Sequence, residues 1–265
     1  MTSYTGIDDL TTSLDGHVLS VKLNRPDSLN SLTEDMLNTL ADAVDRAADD
    51  PEVRVIRLLG AGRGFCSGAG IGVEDRSTRG SSTVDGLLLA ANRAVKSITT
   101  SPKPVVTVVN GAAAGVGVSL ALAGDIILAS DRSFFLLAFT RIGLMPDGGA
   151  TALVASAIGR IRAMRMALLA ERISAADAFE FGLISAVYPD ADLPARAATV
   201  IDTLVAGPTV ALARTKQAIN AATLTELDGA IGRETDGQTA LLTARDFAEG
   251  ARAFQQRRKP DFTDT

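Results

Sequence analysis

The 265-residue chain has one cysteine, one histidine and no tryptophan, and aromatic residues make up only 4% of it. A single thiol excludes a disulfide framework and any site of clustered cysteines, and it suits a reducing compartment. A single histidine, His17, excludes every mechanism that needs two, and no metal site is expected. Few aromatics leave little on which nucleobases could stack. Twenty-six basic against 31 acidic residues give a net charge of −5, so no nucleic-acid partner is expected. Residues 1–9 lack a basic stretch followed by an apolar core, so no signal peptide and a cytoplasmic location are expected.

What is present is ample apolar material, 46% of the chain, with 22% charged residues. That is enough for a large core in one domain with at most a modest appendage. The run from Pro104 to Gly124 carries no charge over 21 residues, the length of a membrane span. Asn110 and four glycines interrupt it, and it changes from β-branched to Ala/Leu-rich part-way along. A buried strand turning into a buried helix is the better reading, and no membrane association is expected.

Alternation over 17–24 predicts a strand, and the stripe Met36, Leu37, Leu40, Val44, Ala47 predicts a helix opened by Thr33 and stopped by Pro51. Strands follow at 53–59, 105–109 and 126–129, with helices at 84–98 and 115–123. Such alternation implies α/β layers around a mostly parallel sheet. Beyond Gly148 strand signals fade, apart from 185–188, and Ala-rich helices take over. We therefore read residues 1–200 as an α/β core and 201–265 as a helical C-terminal region needing an apolar partner surface.

Two glycine-rich loops follow strands, Gly60–Gly72 and Asn110–Gly117. Glycines there let backbone N–H groups approach a ligand, as a phosphate cradle or an oxyanion hole, or simply permit tight packing of strand on helix. Gly115-Val-Gly117 is a poor dinucleotide fingerprint, because Leu120 stands where a third small residue is needed. Neither a phosphate-binding G-x-x-x-x-G-K-[ST] nor a G-x-S-x-G nucleophile elbow occurs.

Taken together, these segments resemble the crotonase (enoyl-CoA hydratase/isomerase) superfamily. Leu23-Asn-Arg-Pro-Asp-Ser-Leu-Asn30-Ser-Leu resembles its N-R-P-x-x-x-N-A-L segment, and Gly62-Arg-Gly-Phe-Cys-Ser-Gly-Ala-Gly70 its G-x-x-F-C-A-G-A-D-L loop. Pro102–Gly117 is similar to its K-P-V-I-A-A-V-N-G-x-A-x-G-G-G stretch, and Arg141–Gly149 to its G-L-x-P-x-x-G-G turn. Ala253–Phe262 resembles the terminal A-F-x-x-[KR]-R-x-P-x-F. The order and spacing agree over nearly the whole chain.

The resemblance implies a spiral of ββα units with a C-terminal helical trimerisation region, assembled as a homotrimer or homohexamer. It implies an acyl-CoA thioester substrate, with coenzyme A part of that substrate and no separate cofactor. The family's oxyanion-hole amides fall on Ala69 and Val116, whose task is to stabilise an enolate. Arg25, Ser67 and Ala69 are expected near the adenine and phosphates, and Phe254 and Arg257 to reach CoA, from a neighbouring subunit.

The departures bear on the reaction. Where the family's hydratases carry two glutamates, this chain has Ser119 and Phe139, neither of which is a base. Gly70 replaces the aspartate of the first loop. A carboxylate stands instead at Asp147, where residue chemistry alone suggests a helix N-cap and the resemblance suggests the acid/base group of the 1,2-epoxyphenylacetyl-CoA isomerase-like branch. The expectation is an acyl-CoA isomerase, moving a double bond or opening a ring. A hydratase or lyase, an aspartate-using thioesterase or dehalogenase, and a non-catalytic acyl-CoA-binding protein are the alternatives. Leu87, Leu88, Leu89, Phe135 and Leu137, within 72–95 and 135–145, are expected to line an apolar acyl pocket. His17 is expected on a strand, Cys66 as a buried small hydrophobe, and Arg160, Arg162 and Arg165 on a solvated face or a subunit contact.

Overall fold

The computed structural model describes residues 4–70 and 84–264. Strand β1 (Leu10–Asp15) pairs antiparallel with β2 (Val18–Leu23). Their two-residue turn, Gly16-His17, has φ of 53° and 67°, the backbone whose twist matches that of the flanking strands. His17 therefore sits exposed in the hairpin turn rather than on the strand expected from residue 17 onward.

Strands β3 (Val55–Gly60), β4 (Val105–Val109), β6 (Ile126–Ser130) and β9 (Ala186–Tyr188) add in parallel to β2, giving the order β1-β2-β3-β4-β6-β9. A smaller layer is built from β5 (Ala112–Ala114), β7 (Phe134–Leu136) and β8 (Ile173–Ser174). It is extended by isolated bridges, Cys66 to Ala113 and Leu32 to Ala69. β4, β5 and the following helix make one repeat and β6, β7 and theirs the next. This is the ββα spiral that the resemblance implied. The uncharged run 104–124 is a buried strand leading into a buried helix: every residue of β4 is buried, as is every residue of α3 (Val116–Ala123).

Helix α1 (Glu34–Asp49) starts where Thr33 Oγ1 accepts the Met36 amide at 3.2 Å and buries the expected stripe. It packs against α2 (Val84–Thr100). Helix α4 (Ala150–Leu168) is broken at Gly159, whose φ is 74°. Helices α5 (Ala175–Glu180) and α6 (Leu193–Ala206) follow. Through Leu193, Ala197 and Ile201, α6 covers the sheet face formed by Val55, Val106, Val108 and Leu128. The boundary read at residue 200 thus falls inside a helix that belongs to the core. Among the described residues no single helix is long and apolar enough to cross a membrane.

The tail comprises α7 (Thr209–Thr223), α8 (Leu227–Leu242) and α9 (Arg245–Gln255). In α7, Lys216 Nζ lies 2.9 Å from Asp125 Oδ2 and also donates to the carbonyls of Ile98 and Lys103 at 2.9 and 3.2 Å. Asp125 in turn accepts the Val105 amide at 2.7 Å, so one buried ion pair joins the tail to the central strand. Removing only the cation would strand a carboxylate out of water. Lys216→Met is expected to lose about 3–5 kcal/mol of stability. Asp125→Asn combined with Lys216→Met should recover a substantial part of it, read as midpoints of urea denaturation.

Candidate active site

The first loop is held by Asn30, which is fully buried. Its Oδ1 accepts the Arg25 amide at 2.9 Å, and its Nδ2 faces the carbonyls of Ala61, Gly64 and Phe65 at 2.9, 2.9 and 3.1 Å. Leu29 and Asn30 both have positive φ, 54° and 59°, so the chain is bent sharply to deliver this side chain. The segment 25–30 is thereby bonded to the turn at 61–65.

The second constraint is contact between the two glycine loops. A Cβ on Gly68 would lie 2.8 Å from the Ala114 carbonyl and 3.4 Å from Gly115 Cα, and φ at Gly68 is +90°. Only glycine allows that approach. The residues immediately after this contact are Ala69 and Val116. Neighbouring amides are occupied: Cys66 donates to Ala112, Ser67 to Leu29, Ala114 to Cys66 and Gly115 to Leu136. Among the described residues the N–H groups of Ala69 and Val116 have no such acceptor. Val116 opens α3, where first-turn amides lack intrahelical partners and the helix dipole is positive.

The third component is the turn before α4. Gly148 packs on Val116 and Ser119, with a Cβ there 3.1 Å from Val116 Cγ2 and from Ser119 Cβ. Ser119 Oγ donates to the Asp147 carbonyl at 2.7 Å, so Ser119 fixes backbone and is not free to bind water. Phe139 is nearly buried, and its ring lies 3.8 Å from the Cβ position of Gly115. The turn that carries Asp147 thus packs on the first two turns of α3 through Gly148 and Ser119.

The capping role suggested for Asp147 is not observed. Gly149 is the N-cap of helix α4, and two of the amides there are taken by Glu234 of α8: Gly149 N–H donates to Oε2 at 2.6 Å and Thr151 N–H to Oε1 at 2.8 Å. Asp147 Oδ2 instead accepts the Gln238 Nε2 amide at 2.8 Å, while Oδ1 is shut from solvent with no partner among the described residues. Burial pushes the carboxyl up from 3.8 to about 7, and the negative charge of Glu234 pushes the same way, opposed by the Gln238 bond.

Glu234 and Gln238 were not singled out from the sequence, although a signal existed. Leu227, Ala230, Glu234 and Gln238 occupy one buried stripe of α8, so two polar residues stand where the helix should be apolar.

The remaining expected residues are dispersed. Ser67 Oγ donates to the Ser28 carbonyl at 2.9 Å, and Arg25 Nη1 to the Ser31 carbonyl and hydroxyl at 2.9 Å, with Asp9 at 3.5 Å from Nε. Ser67 lies two residues before Ala69 on the first loop, and Arg25 opens the 25–30 segment that is bonded to that loop. Phe254 is 61% exposed and Arg257 is exposed too, at the far end of α9. Phe135 and Leu137 are core residues, 0% and 1% exposed, and do not line a pocket; Leu89 faces outward. Residues 71–83, part of the expected pocket wall, lie outside the described residues. Cys66 is buried, and its thiol is pushed up to about 12, an inert small hydrophobe as expected.

Comparison with known proteins shows the family. A family model described as enoyl-CoA hydratase/isomerase matches residues 14–265. The chain belongs to that family, and its fold is that of the crotonases. The 1,2-epoxyphenylacetyl-CoA isomerase of Escherichia coli strain K12 is 39% identical over 250 residues, 93% of this chain and 95% of that protein. A probable enoyl-CoA hydratase of Rhodobacter capsulatus is 40% identical over 247 residues, 92% and 93% of the two chains. Among solved structures, an enoyl-CoA hydratase from Mycobacterium avium subsp. paratuberculosis K-10 has a TM-score of 0.91 and 58% identity, covering 98% of this chain and 100% of that one.

A carboxylate held near 7 in the fold but near 3.8 in the unfolded chain retains a proton that unfolding releases. Stability is therefore lost as pH rises through that window, and the whole penalty applies above about pH 7. Asp147→Asn, which keeps an oxygen for Gln238, is expected to raise the melting temperature by a few degrees at pH 8 and little at pH 4.5. Calorimetry at the two values checks this.

Proposed function

We propose that the protein is an acyl-CoA isomerase in which Asp147 transfers the proton and the amides of Ala69 and Val116 hold the enolate oxygen. The observation that carries this reading is the Asp147 carboxyl, with a raised pKa and, among the described residues, one unpartnered oxygen, in the turn whose Gly148 packs on the first residue of α3. An isomerisation removes a proton next to the thioester and returns it two carbons away, leaving atoms and charge unchanged. One carboxylate suffices, taking the proton in its ionised form and giving it back. The charge that develops meanwhile on the thioester oxygen calls for two aimed donors, each worth ~3–4 kcal/mol in comparable holes. A carboxyl with pKa near 7 is well matched to both halves of the transfer at neutral pH.

The relative from Mycobacterium avium carries the name hydratase, which favours a second reading, addition of water to an enoyl-CoA. That reaction wants a second group to position water. Ser119 is bonded to the Asp147 carbonyl, Phe139 is apolar, and both Glu234 oxygens are engaged by Gly149 and Thr151. These commitments support isomerisation. In the same reading CoA lies along Arg25, Ser67 and Ala69, with Phe254 and Arg257 contributed by an adjacent subunit.

Asp147→Asn should keep CoA affinity and lose ~10²–10⁴ in turnover, the range for a general base. In the parent enzyme kcat/KM should fall as pH drops below about 7, because the base is then protonated. Spectrophotometry with 3-enoyl-, 2-enoyl- and aryl-CoA thioesters tests both points. Brisk hydration of a 2-enoyl-CoA without isomerisation would overturn the assignment.

The homotrimer or homohexamer read from the resemblance is supported by an apolar row on the second half of α4. Ile161, Met164 and Leu168 recur at helical spacing with exposures of 76%, 42% and 65%. Light scattering at micromolar concentration should give three or six times the chain mass, and a monomer would refute the proposal.

A further inference from the structure

Gln238 lies 91 residues from Asp147 in sequence, 2% exposed, on a helix otherwise expected to serve assembly. Its amide can sit only one way round. Oε1 accepts the Met145 backbone amide at 3.2 Å, and that amide has nothing but a hydrogen to offer. Nε2 must then face Asp147, so Gln238 is a donor to Oδ2 and cannot be an acceptor. One helical turn earlier, Glu234 binds the amides of Gly149 and Thr151 and the Thr151 hydroxyl. Two side chains four residues apart thus clamp the 145–151 turn on both sides of Asp147.

We propose that Gln238 is a positioning residue of the isomerase: by holding Oδ2 it fixes the carboxylate plane and leaves Oδ1 as the oxygen that takes and returns the proton. This rests on the reading of Asp147 as the proton carrier. A carboxylate free to rotate would spread its lone pairs over many directions, whereas transfer between two carbons needs one oxygen held within reach of both. Oδ1 is the oxygen without a partner among the described residues, and Ser119 pins the backbone carbonyl of Asp147. Among the described residues, the charged groups bearing on this carboxylate are Glu234 and, through Glu234, Arg233. From α3 and α4 come only the uncharged Ser119 and Thr151.

A donor to an ionised carboxylate favours that ionised form, so its loss must move the titration upward. In Gln238→Met, which keeps the volume and loses the donor, kcat should fall roughly ten- to a hundredfold with KM little changed. The acid limb of kcat/KM should move up by about one pH unit. Gln238→Glu keeps an acceptor for Met145 but adds charge beside Asp147, and its limb should move further still. That variant also guards against misfolding of the methionine one. Unchanged kcat and an unmoved limb in both variants, with Asp147→Asn inactive, would overturn the role of Gln238 and leave that of Asp147 standing. Full activity in Asp147→Asn would remove both.

Discussion

The contact on which the site depends is that between Gly68 and the Ala114-Gly115 backbone. Two loops from different repeats meet there with no side chain between them, and each continues into an amide without an acceptor among the described residues. The contact is permitted by glycine but enforced elsewhere. Asn30 draws residues 25–30 onto the turn at 61–65, the Cys66–Ala113 bridge aligns the loops in register, and Gly117 lies so close to Cys66 that a Cβ would stand 2.8 Å from its Cβ. A preorganised donor pair needs this rigidity, since amides that had to reorient during reaction would lose most of their advantage.

Much of this was legible in the sequence where the signal is local. The stripe and cap of α1, the all-apolar β4 and the glycine loops follow from period and residue type. The three-residue strands β5 and β7 escaped because so short a segment carries no period, and their pairing is with one another rather than with the main sheet. His17 misled for a related reason: alternation continues through it, but it is the second residue of the turn that begins at Gly16. Phe135 and Leu137 read equally well as pocket or core, since hydrophobicity alone does not say which side of a layer a residue faces.

The largest gap between sequence and site concerns Asp147. Next to a helix start, an aspartate is ordinarily a cap, and local reasoning stops there. The cap is supplied instead by Glu234, 83 to 85 residues further along the chain. Once that carboxylate satisfies the first amides of α4, Asp147 is released from the role its neighbours suggest. No local rule reveals such an exchange. Its trace is on the other helix, where Glu234 and Gln238 interrupt a buried stripe and so demand polar partners elsewhere.

This exchange also ties the helical tail to the turn that carries Asp147. A buried carboxylate is unfavourable where, as among the described residues here, no cation faces it, and a second buried carboxylate makes it more so. A fold selected for stability alone would place an amide or an apolar side chain at 147. An acid there, whose donor among the described residues is the neutral Gln238 rather than an arginine, keeps its pKa near neutrality, where an ion pair would drive it down. The cost is held locally because Glu234 is itself tied to helix amides, and because Lys216 and Asp125 separately fasten the tail to the central strand. Helix α8 is therefore built into the surroundings of Asp147: it brings the charge that helps raise the carboxyl and the amide that bonds Oδ2, one turn apart on the same face.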